Sequence, residues 1–233
     1  MIVTAAIVLK DRTLPIAFLL RDRKRVIDRI KMIDLLKGII SSHIQATVIA
    51  DGEFCSPAFL DYIHRNGYHY IVRMRKSMLF NGKKIGSYSI RTDANGLYDF
   101  GFGKYTSMSM NARVVANTHN KQVYYLVTDL NYLSSFIVDT YRKRFLIEET
   151  FRDYKSGMGF GKYSNGMNEK RLLALLSIYT LSYMSMYEMT KGIVKDGRYS
   201  FYTRFRNKMI YTMGKDIFLE NLNNLRVSHR AFK

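Results

Sequence analysis

Tyr141–Lys155 reads YRKRFLIEETFRDYK. The stretch has no Pro or Gly and mixes both charge signs with apolar residues, so it predicts a helix. At about 100° per residue, Tyr141, Arg144, Glu148 and Lys155 fall within an arc of roughly 60° on one face. Ile147, Phe151 and Tyr154 form an apolar stripe beside that arc. One edge of the helix can then pack on a core while a tyrosine, an arginine, a carboxylate and a lysine line a cleft. Read alone, the charges also fit a solvated amphipathic helix with i,i+4 pairs.

Upstream, residues 2–9 (IVTAAIVL) and 14–20 (LPIAFLL) are apolar, β-prone runs joined by Lys10-Asp11-Arg12-Thr13, which predicts a hairpin. Residues 22–40 place apolar side chains at 26, 30, 33, 36 and 40 and read as an amphipathic helix. Residues 45–50 (QATVIA) form a short buried strand that ends at Asp51. Residues 56–66 are helical, with Ser56 as cap and Pro57 in the first turn, before Gly67 turns the chain into a strand over 68–74. From Ser77 to about Asp129, Asn81-Gly82, Asn95-Gly96 and Gly101-Phe102-Gly103 punctuate short alternating segments, which predicts an all-β insertion. Downstream of the opening helix lie a turn at 157–161, a buried helix around 172–189 and a basic, tyrosine-rich tail. Ser177, Thr180, Ser182, Ser185 and Glu188 argue against 172–189 as a membrane span.

The spacing Tyr141-x2-Arg144-x3-Glu148-x6-Lys155 resembles the signature of the DDE transposases of the IS-four-like insertion-sequence group. The element order agrees with the ribonuclease-H-like core of that family. The fold class expected is therefore α/β, a mixed sheet flanked by helices and carrying a β-rich insertion. The division would be 1–76 for the first part of the core, 77–130 for the insertion, 131–194 for the second part, and 195–233 for the tail. The family's core begins with three antiparallel strands, the first bearing the first catalytic Asp, and here two strands precede the first helix. The resemblance thus implies a chain that lacks that strand and that carboxylate, as a truncated copy would. Asp11, in Asp-Arg-Thr, and Asp22 are the remaining candidates for it.

What the resemblance implies is metal-dependent DNA cleavage and strand transfer. Such in-line displacements at phosphorus use two divalent ions to activate one oxygen and stabilise the other. Magnesium, with manganese as substitute, takes oxygen ligands. Glu148 would be the third carboxylate of the family's set and Asp51 the second, both metal-holding and catalytic. Asp51 opens Asp51-Gly52-Glu53-Phe54 at the end of an apolar strand, where α/β sheets bind ligands, although an Asp beside Gly is also a common turn pair. Tyr141, Arg144 and Lys155 would contact DNA; Arg144 can fork onto a phosphate and Lys155 act as a point charge. Arg73, with Arg75 and Lys76, would extend the basic track. Glu53 reads as a loop carboxylate and Glu149 as structural or solvated. Cys55 reads as a small buried filler and the five histidines show no ligand spacing.

Composition agrees with this class. Lys and Arg number 37 against 19 Asp and Glu, a formal charge of +18, which calls for a polyanionic partner. Double-stranded DNA, at element ends and target, is the partner expected, with a second copy or full-length transposase beside it and no membrane. A single cysteine excludes a disulfide framework and fits a reducing, cytoplasmic compartment. The N-terminal MIVTAAIVLK lacks a basic leader, so no secretory signal is expected. The alternative function is a catalytically silent DNA-binding remnant or regulator of transposition. A general basic nucleic-acid binder is the third reading.

Overall fold

The computed structural model describes residues 2–9, 12–20, 26–106, 110–119, 122–160 and 166–195. Asp11, Asp22 and the tail expected at 195–233 lie outside these, apart from the tail's first residue. The described residues form a mixed α/β structure in two compact units, one holding 2–5 and 17–145, the other 6–16 and 146–195.

The chain opens with β1 (Ile2–Val8) and β2 (Thr13–Leu20), which pair with each other in a two-stranded sheet as the apolar runs predict. The ends of that hairpin belong to the first unit and its tip to the second.

In the first unit, α1 (Val26–Ile39) is followed by β3 (Thr47–Ala50), α2 (Pro57–Arg65) and β4 (His69–Met74). β3 and β4 are parallel, Ile49 opposite Ile71 and Ala50 opposite Val72, so α2 is the crossover that parallel pairing requires. Ser56 is the N-cap residue and Pro57 opens α2 as expected, but the Ser56 hydroxyl makes no capping bond. The segment after β4 begins with β5 (Leu79–Phe80) and β6 (Lys83–Lys84), a separate hairpin. Asn81 and Gly82 turn it with φ of 49° and 78°, the left-handed pair that an Asn-Gly hairpin uses.

Next come β7 (Leu97–Lys104), β8 (Asn111–His119) and β9 (Gln122–Thr128). These strands lie in the segment expected as an insertion, yet in space they continue the main sheet in the order β3-β4-β9-β8-β7. The junction is the antiparallel pairing of Ile71–Met74 with Tyr125–Thr128. β7, β8 and β9 thus share one sheet, and a core, with β3 and β4.

Helix α3 (Ser134–Arg142) lies on one face of this sheet. Ile71, Val115, Leu126, Leu130, Ile137, Val138 and Tyr141 form the core between them. Its start is tied down by Arg113, which pairs with Asp99, donates to the Tyr132 carbonyl and reaches the Ser134 hydroxyl at 3.3 Å. On the sheet's margin, one Asp129 oxygen accepts from the Nδ1 side of His64 and of His69, each at 3.0 Å. Its other oxygen takes the Tyr70 N–H at 3.0 Å, so a single carboxylate joins the ends of α2, β4 and β9. Sequence spacing does not reveal that clasp.

The second unit contains α4 (Leu146–Arg152), a π turn (Asp153–Gly157) and α5 (Glu169–Lys195). α5 buries Leu176, Tyr179, Tyr183, Met186 and Thr190 at helical spacing, while Ile178, Leu181 and Met184 stay exposed. Among the described residues no helix is long and apolar enough to cross a membrane.

Candidate functional site

The period-2 rule of a strand builds the first part of the site. Ile49 and Ile71 are paired and pack with the core beneath α3, so Asp51 and Arg73, two residues further along their strands, are carried toward the same side. Tyr124, two residues from Leu126 on β9, joins them from that face. Asp51 stands just past the carboxyl end of β3, half-buried, and its Oδ1 accepts the Glu53 N–H at 2.9 Å. That bond caps the 3₁₀ turn Gly52–Phe54 and occupies one oxygen of the carboxylate. The turn is braced from just past β4, where Arg75 Nε donates to the Gly52 carbonyl at 2.9 Å. Cys55 is buried with its thiol on the same carbonyl at 3.0 Å, as a filler should be, and its own carbonyl accepts the Tyr105 hydroxyl at 2.5 Å.

α3 brings the remainder. Tyr141, 3% exposed, lies in the sheet–helix core with its ring 6.2 Å from that of Tyr124. Burial pushes its hydroxyl above the ordinary tyrosine range; Arg144, by charge and by hydrogen bond, and Arg73 pull it back, and Asp51 pushes it up again. The Tyr124 hydroxyl is also raised by burial and lowered by Arg142 and Arg73. The first unit therefore gathers Asp51, Arg73, Tyr141 and Arg144 within electrostatic reach of one hydroxyl. Arg73 is exposed, whereas Tyr141 is a core residue that offers only its hydroxyl edge. Tyr124 and Arg142 were not singled out in the sequence, although the alternation of QVYYLVT carries the signal for Tyr124.

The continuous helix expected over 141–155 is corrected. α3 stops at Arg142, a 3₁₀ turn spans Lys143–Phe145, α4 runs only from Leu146 to Arg152, and the π turn follows. Its two halves are anchored in different units, Tyr141 in the sheet–helix core and Thr150 against Thr13. A constant turn of about 100° per residue therefore fails across both junctions. The four signature residues are divided between the units, Tyr141 and Arg144 in the first and Glu148 and Lys155 in the second.

Glu148 and Lys155 belong to the second unit, and both are exposed. Glu149 pairs with Arg152 at 2.8 Å on the surface, a structural role. Below them Thr150 is fully buried; its hydroxyl accepts the Thr13 N–H at 3.1 Å and donates to the carbonyl of Thr13 or Leu146. Tyr154 is fully buried against the rings of Phe151, Tyr179 and Tyr183, with its hydroxyl 3.1 Å from that of Thr180.

Burial pushes the Tyr154 hydroxyl from 10.0 up to about 12, against the pull of the Thr180 hydrogen bond. A raised folded value means that the stabilisation is complete below the unfolded value and lost as pH climbs through the folded one. Stability against urea should therefore fall between pH 10 and 12. Tyr70, Tyr105 and Tyr183 are raised by burial too and share that slope. Tyr154→Phe should therefore lessen it by one tyrosine's part, and an unchanged slope in the variant would refute the assignment.

Among the described residues no three His, Cys, Asp or Glu side chains cluster so as to hold a metal ion. Asp51 and Glu148 supply hard carboxylate oxygens of the kind magnesium takes. Asp51 has one oxygen beyond the one its turn uses.

A family model described as "Transposase DDE domain" matches residues 3–181. No curated protein matches the chain.

Proposed function

The chain belongs to the DDE transposase-domain family, and on that footing we propose that it is the catalytic domain of an insertion-sequence transposase of the IS-four-like group. The observation that carries the reading is the gathering of Asp51, Arg73, Arg144 and the Tyr141 hydroxyl at one end of the sheet, with the signature continuing to Glu148 and Lys155. The core is read as ribonuclease-H-like, with 77–130 inserted between its parts 1–76 and 131–194 and with 195–233 as a tail.

Membership of the family implies DNA binding and dependence on a divalent metal ion. Magnesium, or manganese in its place, would be held by Asp51 and Glu148; when bound it activates the attacking oxygen and stabilises the leaving one. The chain's own groups do the rest. Arg144 forks onto a phosphate and is steadied by the Tyr141 hydroxyl and by stacking over Phe145 at 4.4 Å. Arg73 and Lys155 add point contacts to the backbone. A net charge of +18 draws the duplex in and makes the affinity fall with salt. The first carboxylate of the family's set is proposed to lie outside the site described, at Asp11, at Asp22 or on another polypeptide such as full-length transposase. A second copy would hold the second element end, and the compartment would be cytoplasmic.

The test is incubation of the chain with a duplex carrying the terminal DNA of its element, with magnesium, with manganese, and with a chelator. Cleavage that needs the metal supports a catalytic domain. Binding without cleavage, with or without metal, would replace that reading by the DNA-binding remnant.

A further inference from the structure

Lys155 sits in the π turn Asp153–Gly157, and that turn is held from three sides within the second unit. Asp153, its first residue, keeps a side chain only 16% exposed. It accepts from Arg12 Nε at 2.9 Å and from the Tyr183 hydroxyl at 3.2 Å. Tyr154 is locked by Thr180 and the aromatic rings around it. At the far end the Met158 N–H closes on the Asp153 carbonyl at 3.0 Å, and the Met158 carbonyl accepts the Tyr179 hydroxyl at 2.9 Å.

π turns are rare and concentrate at functional positions. Each residue in one advances by less than the roughly 100° of an α-helix. Continuing α4 unchanged would return Lys155, seven positions on, to nearly the azimuth of Glu148; the π turn rotates it away. The direction of that lysine is thus a property of the turn, and the turn is set by polar groups that a solvated helix end would not need. A partly desolvated carboxylate with two donors is costly to leave half-paired, so it holds its geometry.

We propose that Asp153 is a positioning residue: clamped between Arg12 and Tyr183, it fixes the π turn that aims Lys155 at a DNA phosphate. This rests on the reading of Lys155 as a DNA contact. Asp153 itself touches no DNA; it acts through the lysine two residues on.

The experiment measures binding of the whole chain to a fluorescent mixed-sequence duplex across a salt series. The variants are Lys155→Ala, Asp153→Ala, Tyr183→Phe and the double Asp153→Ala/Lys155→Ala. Lys155→Ala should weaken binding severalfold and lower the slope of log affinity against log salt by about one, the loss of one phosphate contact. Asp153→Ala should reproduce most of both changes, and Tyr183→Phe, which keeps the ring and its packing, a part of them. The double variant should bind no worse than Lys155→Ala. Additive losses in the double variant would overturn the inference. So would wild-type affinity and slope in Tyr183→Phe together with Asp153→Ala, or in Tyr183→Phe alone if Asp153→Ala does not fold. A silent Lys155→Ala would sink the parent reading of Lys155 and this one with it, whereas a Lys155→Ala that weakens binding, beside either of those silent outcomes, strikes only the inference.

Discussion

Asp51→Asn is expected to lower metal-dependent DNA cleavage by at least about 10²-fold while leaving DNA binding in place. Removing even an outer-shell partner of a metal ligand typically costs 10–100-fold, so loss of a ligand's charge should cost at least as much. Asparagine can still accept the Glu53 N–H that Asp51 takes at 2.9 Å, so the 3₁₀ turn after β3 keeps its cap. Asp51→Ala removes the cap as well and should add roughly 1 kcal/mol of destabilisation. The pair of variants therefore separates charge from fold. Glu148→Gln should match Asp51→Asn in cleavage, since it removes the charge of an exposed α4 side chain while keeping its length and its amide oxygen as an acceptor. The measurement is nicking of element-end DNA in magnesium and in manganese, with binding followed in parallel. Full cleavage by either variant would remove that residue from the metal site.

The largest effect on stability is expected from Leu126→Ala. Leu126 is fully buried at the centre of the five-stranded sheet, between Arg73 on β4 and Val115 on β8, and it packs with Ile71, Ile137 and Tyr141 under α3. Truncation there loses apolar transfer energy and leaves a cavity, about 2–5 kcal/mol together. The chain contains no tryptophan, so urea unfolding is best followed by far-ultraviolet circular dichroism. Leu181→Ala is the control, because Leu181 is 65% exposed on α5 and should cost under about 0.5 kcal/mol. Equal midpoints for the two variants would contradict the core described. Because Leu126 supports the same face as Tyr141, its loss should also weaken DNA binding through Arg144.

Much of the fold is legible along the chain. The apolar runs at 2–9, 14–20 and 45–50 became strands, the period of 26–36 became α1, and Asn81-Gly82 became a hairpin turn. Each depends on neighbours a few residues away, and local sterics and periodicity record that. The candidate site was legible in part for the same reason. Asp51 could be placed at the end of an apolar run, and Arg73 with Arg75 and Lys76 just past a core strand; that the two strands are parallel neighbours came from the structure. Alternation in QVYYLVT marks the face of Tyr124, but its cross-strand neighbours and the Asp129 clasp are not legible, since pairing partners 50 or more positions apart leave no local mark.

The sequence by itself determined the class of elements, their order, the basic charge and the signature Tyr141-x2-Arg144-x3-Glu148-x6-Lys155, all of which are short-range or compositional properties. Only the tertiary structure decided that β7–β9 extend the sheet of β3 and β4, because that depends on which strand edge β9 meets. It also decided that the signature helix breaks into α, 3₁₀, α and π segments. Helix propensity favours an unbroken run from Tyr141 to Lys155, but its strength is only tenths of a kcal/mol per residue. Burying Tyr141 in one core, and Thr150 and Tyr154 in another, is worth several times more, and the backbone yields between them.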